Sequence, residues 1–138
     1  MNEIETVAGM APTPSYRYAD VVGNRLFLAG QVPLDEHGRL IGFDDVGAQT
    51  RQCLTNLCQV VTLHGFAVTD IHQLAIHVVG PQPHLTAAWR EVATWFSSNV
   101  PPATLLGSNV LGYVNQLVEI DARVERADQA ESTKVRSR

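Results

Sequence analysis

The sequence has few charged residues and no excess of positive charge. Only 17% of its 138 residues are charged, and 10 Lys and Arg against 14 Asp and Glu give a net charge of −4. Soluble domains typically contain about 25% charged residues, so this surface is poorly solvated, and coverage by other subunits would explain it. The acidic balance argues against a nucleic-acid-binding protein, which needs a basic surface.

Long apolar segments are also missing. No apolar run approaches the roughly 18 residues that a membrane-spanning helix needs. The first ten residues, MNEIETVAGM, are acidic and lack the basic region and apolar core of a secretory signal. We therefore expect a cytoplasmic protein without a membrane segment.

Cysteine is scarce, and the histidines are scattered. Cys53 and Cys58 lie five residues apart in a predicted helix, so they point in different directions and are poorly placed for a disulfide. His72 and His77, the closest histidine pair, have a spacing that puts them on opposite faces of a strand. No group has the spacing of metal ligands, and we expect neither a metal site nor a cofactor.

The hydropathy pattern predicts the order β-β-α-β-α-β-β in a single domain. Gly23-Asn24 is a favoured two-residue hairpin loop. Asp44 or Asp45 caps the first helix, which ends at Gly65, and Gln49 and Asn56 lie off its apolar stripe. The predicted strands are 18–22, 25–29, 74–79, 104–110 and 117–124, and the second helix carries apolar residues over 85–96 and is stopped by Pro101-Pro102.

This element order predicts an α+β fold with two helices on one face of a mixed sheet. The other face is too apolar for bare solvent, with Leu117 as an example, so we expect another copy of the chain to cover it. Clefts between the copies would then be the natural site for a small-molecule ligand. The domain is expected to span residues 1–126, and the polar segment 127–138 is expected to be a flexible tail.

Four segments resemble the RidA (YjgF/YER057c/UK114) family. They are Tyr16, the stretch GNRLFLAGQVPLDEHGRL at 23–40, the helix segment QTRQCLTNL at 49–57 followed by Gly65, and PPATLLGSNVLGYVNQLVEIDARV at 101–124. Their order is that of the family, and together they cover roughly residues 14–125. The resemblance implies the RidA-like (chorismate mutase-like) fold, a homotrimer with a central barrel, and three pockets between subunits.

The resemblance also implies an activity. Archetypal members hydrolyse reactive enamines and imines, such as 2-aminoacrylate and its imine, to a 2-keto acid and ammonia. Glu119 matches the family's pocket glutamate, and Tyr16, Gly30 and Gln31 match pocket positions. Alternative structural roles remain open for three of them: Glu119 as a solvent-facing or interface-paired carboxylate, Tyr16 as an anchor of the N-terminal segment, and Gly30 as a residue required only by the turn.

Three positions depart from the family pattern. Thr104 stands where archetypal members have the arginine that grips the substrate carboxylate, and Leu106 replaces a cysteine. Trp89 aligns with an asparagine of the second helix, although a tryptophan on a helical apolar stripe is more often a core residue than a pocket residue. A charge-assisted hydrogen bond contributes roughly 1.5–3 kcal/mol, so this chain is expected to favour a bulkier or uncharged ligand unless another arginine substitutes. Arg17, Arg25 and Arg90 are the candidates.

Three functions remain open. The first is an imine or enamine deaminase in which Glu119 activates water. The second is a non-catalytic, metabolite-binding trimer or accessory protein on the same fold. The third, a ribonuclease of the L-PSP type, is the least favoured because phosphate contacts normally need a basic groove.

Overall fold

A computed structural model describes residues 2–127. The chain forms one five-stranded mixed sheet in the order β1-β2-β5-β3-β4, with all neighbours antiparallel except β3 and β4. The elements are α1 (Glu3–Val7), β1 (Ala19–Val22), β2 (Arg25–Leu28), α2 (Val46–Leu63), a 3₁₀ turn (Val68–Asp70), β3 (Ile71–Val79), α3 (Gln82–Trp95), β4 (Ala103–Ser108) and β5 (Val118–Glu125). The α+β class and the order of the predicted elements are confirmed. The predicted tail, 127–138, lies outside the described residues except for Ala127.

The hairpin and the first long helix form where the sequence predicts them. Val22 pairs with Arg25 across the two-residue loop, and Gly23 adopts a φ of +58°. Asp45 is the N-cap of α2, where its side chain accepts a hydrogen bond from the Ala48 N–H at 3.0 Å. Gly65 follows the last turn with a φ of +86°, which a residue with a side chain rarely adopts.

The short N-terminal helix α1 was not predicted. Asn2 and Glu5 form a reciprocal capping box at its start. The Glu5 carboxylate is buried and also lies 3.1 Å from Nε2 of His64, at the end of α2. This helix is therefore held by a tertiary contact between residues 59 positions apart in the sequence, and no local sequence pattern predicts such a contact.

The end of α3 differs from the prediction. The helix ends at Trp95, well before Pro101-Pro102, because Ser97 and Ser98 take left-handed conformations with φ of +51° and +62°. Strand β3 is longer than expected and begins at Ile71, while β4 is shorter and ends at Ser108. A register shift between Ile71 and Gln73 explains why the alternating pattern of β3 is hidden at its start.

The hydrophobic core lies on one face of the sheet, under α2 and α3. Both helices and alternate residues of the central strands contribute to it, including Leu54, Leu57, Val92, Ile76 and Ile120. Leu117 packs against this core, so the expectation that it marks the opposite face is wrong. Leu117 immediately precedes β5 and is partly buried.

The opposite face of the sheet, here called the open face, has no helix from residues 2–127 packed on it. It carries Phe27, His77, Leu106 and Glu119, each next to a core-facing neighbour in its strand. Phe27 is 54% exposed and Leu106 40% exposed. No helix within residues 2–127 is long and apolar enough to cross a membrane.

Candidate active site

Glu119 lies on the open face, near the start of the central strand β5. Its neighbours Val118 and Ile120 are fully buried in the core, so alternation directs the Glu119 side chain to the other face. The side-chain amide of Gln116 donates a hydrogen bond to Oε1 of Glu119 at 3.2 Å. The carboxylate is thus half-buried and oriented by a neighbour from the preceding loop.

Gly30 provides the space into which this carboxylate extends. A Cβ atom on Gly30 would stand 2.9 Å from the carboxyl carbon of Glu119, and closer still to Oε2. Such distances are too short for real Cβ contacts, so any side chain here must displace the carboxylate. The structure therefore brings Gly30 and Glu119 together, and the glycine serves a close approach rather than only a turn.

Gln31 lies beside this pair, but its polar groups are engaged internally. Its main chain exchanges hydrogen bonds with Ile120 at 2.7 and 3.0 Å. Its buried side-chain amide donates to the Ala29 carbonyl at 2.8 Å. Gln31 thereby fixes the end of β2 against β5 and positions Gly30.

Tyr16 lies close enough to Glu119 for the carboxylate charge to affect it. Burial, followed by the hydrogen bond with Tyr113, raises the pKa of Tyr16 above its ordinary range, and Glu119 makes a smaller contribution. The two phenol oxygens of Tyr16 and Tyr113 are 3.1 Å apart. Tyr16 therefore stays neutral and is a hydrogen-bonding group at the edge of the site.

Sequence reasoning missed Tyr113 and Gln116, which lie in the loop between β4 and β5. The Tyr113 N–H donates to Oε1 of Gln116 at 3.0 Å, while the Gln116 amide donates to both Val118 O and Glu119. This buried glutamine connects the loop to the carboxylate. Its sequence signal is only its place three residues before Glu119.

Thr104 and Leu106 reach the open face from the outer strand β4. Leu106 pairs with His77 on β3, and His77 pairs with Glu119 on β5. These three residues form one row across three strands. Thr104 belongs to the next row, with Ala75 and Asp121, and a recess of about 270 Å³ lies beside it, lined by residues that include Thr104, Leu106, Asp121 and Arg123.

Trp89 is not brought to this group within one chain. It lies on α3, on the core side of the sheet, and is 38% exposed. Arg90 is on the same helix. Arg25 pairs with Glu125 at 2.6 Å, and Arg17 lies 3.7 Å from Asp20. The structure shows none of these three arginines beside Thr104, whereas Arg123, which the sequence did not single out, lines the same recess.

A second, more polar cleft of about 280 Å³ lies between the N-terminal segment, the loop after β2 and α2. Tyr16, Gly30 and Gln31 line part of it. Asn56 also lines this cleft, and its side-chain amide donates hydrogen bonds to the Val32 and Leu34 carbonyls at 2.8 and 2.9 Å. Within residues 2–127, no three His, Cys, Asp or Glu side chains come together as metal ligands.

Comparison with known proteins identifies the family. A sequence model of the family described as Endoribonuclease L-PSP matches residues 8–126. The chain therefore belongs to this family, which includes the RidA and YjgF proteins.

Sequence relatives in archaea match over a shorter stretch. A RutC family protein of Sulfurisphaera tokodaii is 35% identical over 71 residues, or 51% of this chain and 57% of that protein. A RutC family protein of Pyrococcus horikoshii is 33% identical over 70 residues, covering 49% and 56%. The matches thus span little more than half the length of these curated relatives.

Solved structures share the fold along most of the chain. The YjgF gene product of E. coli superposes with a TM-score of 0.75 and 25% identity, covering 86% of this chain and 95% of that one. E. coli TdcF, solved with bound serine, gives a TM-score of 0.76 at 20% identity, covering 86% and 93%. The RidA-like fold is therefore confirmed.

Proposed function

We propose that this protein hydrolyses the C=N bond of a reactive imine or enamine tautomer to a carbonyl compound and ammonia. The observation that carries the proposal is the Glu119 carboxylate, oriented by Gln116 and extending over Gly30 on the open face. A carboxylate held beside an open surface can accept a proton from water. Membership of the RidA/YjgF/L-PSP family supports the assignment of the fold. The proposal that Glu119 acts as a base rests on the geometry of its carboxylate.

In the proposed reaction, Glu119 takes a proton from a water molecule as its oxygen attacks the imine carbon. Gly30 matters because its missing side chain leaves the carboxylate room to approach the water. The neutral Tyr16 hydroxyl can hydrogen-bond the substrate at the rim, since its raised pKa keeps it protonated.

The substrate is proposed to be bulkier or less charged than a small imino acid. Thr104 offers a neutral hydroxyl at the recess, and Leu106 makes the adjacent row apolar. These groups suit a branched or aryl substituent better than a bare carboxylate. Thr104, Leu106 and the surface near Gly30 are the proposed substrate contacts, and Gln31 supports them through its main chain.

The complete site is proposed to form between copies of the chain in a homotrimer. Phe27 and Leu106 are exposed apolar residues on the open face, and Glu119 and Thr104 lie among them. A second copy packed on this face would cover the apolar residues and close a cleft over the carboxylate. Trp89 could contact a ligand only from such a neighbouring copy.

A non-catalytic metabolite-binding trimer is the second candidate. Its specific support is Thr104, because no arginine occupies that position to hold a substrate carboxylate. A ribonuclease remains the least favoured function despite the family's description, because the net charge of −4 gives little attraction for phosphates.

The test measures ammonia release from freshly generated 2-iminobutanoate and from branched and aryl imines. Glu119→Gln removes the proposed base with little change in shape, and Glu91→Gln on α3, at the far side of the sheet, is the matched control. We expect the wild type and Glu91→Gln to hydrolyse the bulkier imines and Glu119→Gln to lose at least a hundredfold in kcat, in the range of general-base catalysis.

Two results would contradict this proposal. Undiminished turnover by Glu119→Gln would exclude Glu119 as the base. Tight binding of an imine or carbonyl metabolite by the wild type, without ammonia release from any substrate, would favour the metabolite-binding alternative.

A further inference from the structure

His77 lies beside Glu119, and the reaction proposed above gives it no role. The two residues are directly paired across β3 and β5, and residues paired in this way have Cβ atoms about 5 Å apart on one face of a sheet. The next residue along the row, Leu106 on β4, is apolar. His77 is therefore the titratable side chain nearest to Glu119 in this row.

The His77 ring is held by a carboxylate on the neighbouring strand. Its Nε2 lies 2.9 Å from Oδ2 of Asp121, one position along the open face. The His77 side chain is 25% exposed and that of Asp121 is 45% exposed, so the pair faces the surface on which a substrate would lie. A carboxylate on one ring nitrogen fixes the orientation of the ring and leaves the other nitrogen to exchange a proton.

The other histidines of the sheet and helices have different settings. His64 is buried against Glu5, where it supports α1. His72 and His84 each have a ring nitrogen on a main-chain carbonyl, of Glu125 and Val79 respectively. Of these four histidines, His77 is the one that is paired directly with the proposed base.

We infer that His77 is a second acid–base group of this site and that Asp121 is its positioning residue. The inference rests on the proposed function and deepens it by assigning the proton donor for the substrate nitrogen. Glu119 and His77 then divide the two proton transfers that hydrolysis of a C=N bond requires.

The protons balance over two steps. In the first, the water oxygen bonds to the imine carbon, Glu119 takes a proton from that water, and the His77 imidazolium gives a proton to the nitrogen, forming a carbinolamine. In the second, the C–N bond breaks as protonated Glu119 gives its proton to the nitrogen, and His77 takes the hydroxyl proton as the carbonyl forms. Ammonia leaves, and both side chains return to their starting states.

Among the described strands, the charged residues that flank His77 on the open face come from β5. Glu119 and Asp121 face it from β5, and Arg123 lies further along the same face. β4 contributes the uncharged Leu106, Thr104 and Ser108, and β3 itself contributes uncharged residues on either side. The two carboxylates are therefore the charged groups nearest to the ring, and the Asp121 carboxylate is the one that contacts it.

The test compares His77→Gln, His77→Ala and Asp121→Asn with the control His72→Ala, a nearby histidine on the same strand. Rates of ammonia release are measured across pH with a substrate that the wild type hydrolyses, and thermal unfolding checks that each variant is folded. We expect kcat to fall about a hundredfold in His77→Gln, a typical contribution of general acid–base catalysis. We expect added imidazole to restore part of the rate in His77→Ala.

The pH profile separates a chemical role from a structural one. A proton donor must be protonated, so the wild-type rate should fall on the alkaline side, and this fall should be absent in His77→Gln. Asp121→Asn, which loses the carboxylate that holds the ring, should lower kcat, as expected for a positioning residue. His72→Ala should keep the wild-type profile.

Three outcomes would overturn the inference. If Glu119→Gln is inactive while both His77 variants retain the wild-type rate, His77 has no part in the reaction and the proposed function stands. If His77→Ala is folded and slow, but added imidazole restores none of its rate and its pH profile has the same shape as that of the wild type, the role of His77 is structural. If the wild type hydrolyses no imine, the proposed function and this inference both fail.

Discussion

The carboxylate of Glu119 extends over Gly30 so closely that a methyl group on the glycine would overlap it. The two residues lie 89 positions apart in the sequence. They are brought together because Gln31 pairs with Ile120, immediately beside each of them. The geometry of the proposed base therefore depends on a residue whose contribution is the absence of a side chain.

Gly30→Ala should separate activity from stability. The methyl group would push aside the carboxylate, the mobile end of Glu119, while the Gly30 backbone lies outside the left-handed region and tolerates alanine. We expect at least a tenfold loss of kcat, with a melting temperature within a few degrees of the wild type. Gly107→Ala on β4, where a Cβ would meet no atom within 4 Å, is the control. Equal activity of the two variants would contradict a role for this close approach.

Thr104→Arg should change which substrates are accepted. An arginine at this position would project into the recess that Thr104 lines and offer a charge-assisted hydrogen bond worth roughly 1.5–3 kcal/mol to a carboxylate. We expect KM for 2-iminobutanoate to fall about ten- to a hundredfold, while KM for an uncharged imine stays level or rises. Thr104→Gln, which adds length without charge, is the matched control. A similar change in both variants would exclude a charge effect.

Stability should fall in alkaline solution. Burial raises the pKa of Tyr18 to about 12 and raises that of Tyr16 as well, whereas tyrosines of an unfolded chain ionise near pH 10. The unfolded state thus loses protons first, so the stability that these partly buried phenols contribute is present below about pH 10 and is lost as pH rises towards 12. Urea unfolding at several pH values should show this decline. Its slope should become shallower in Tyr18→Phe, and an unchanged slope would contradict the assignment.

Gln49→Met should destabilise the fold although it keeps the volume of the side chain. Gln49 is fully buried, accepts a hydrogen bond from the Leu117 N–H at 2.7 Å, and donates to the Gly42 and Asn115 carbonyls at 3.0 and 3.1 Å. The variant leaves these main-chain groups unpaired, so we expect a loss of about 2–4 kcal/mol in the free energy of unfolding.

Gln59→Met is the control for this prediction, because Gln59 is exposed on the same helix and should change stability by less than about 0.5 kcal/mol. Urea denaturation measures both variants. Equal losses in the two would show that the buried glutamine network adds nothing specific.

Local sequence patterns were sufficient to predict those turns and helix ends that depend on only one or two residues. The Gly23-Asn24 hairpin, the Asp45 cap and the Gly65 ending of α2 each follow from the conformational preferences of one or two residues. The end of α3 could not be predicted in this way, because Ser97 and Ser98 adopt left-handed conformations that serine rarely takes. Helix α1 depends on the distant Glu5–His64 contact.

The candidate site was only partly predictable for the same reason. Alternation along β5 placed Glu119 on the open face, and the match to family segments indicated Tyr16 and Gly30. The strand order decided the rest: β3 is the strand between β4 and β5, and this places His77 between Leu106 and Glu119. A pattern along one strand does not reveal which strand lies next to it in the sheet. The placement of His77, Asp121 and Gln116 beside Glu119 is therefore visible only in the folded chain.

The strand order also has a consequence for biosynthesis. The last strand, β5, lies in the middle of the sheet and joins the β1–β2 hairpin to the β3–β4 pair. During translation the ribosome therefore releases all four other strands before β5, the strand that connects them. The two halves of the nascent sheet have no hydrogen-bonded partner between them until Val118–Glu125 has left the exit tunnel, so a chain that stops short of this segment would present two unpaired strand edges to chaperones and proteases.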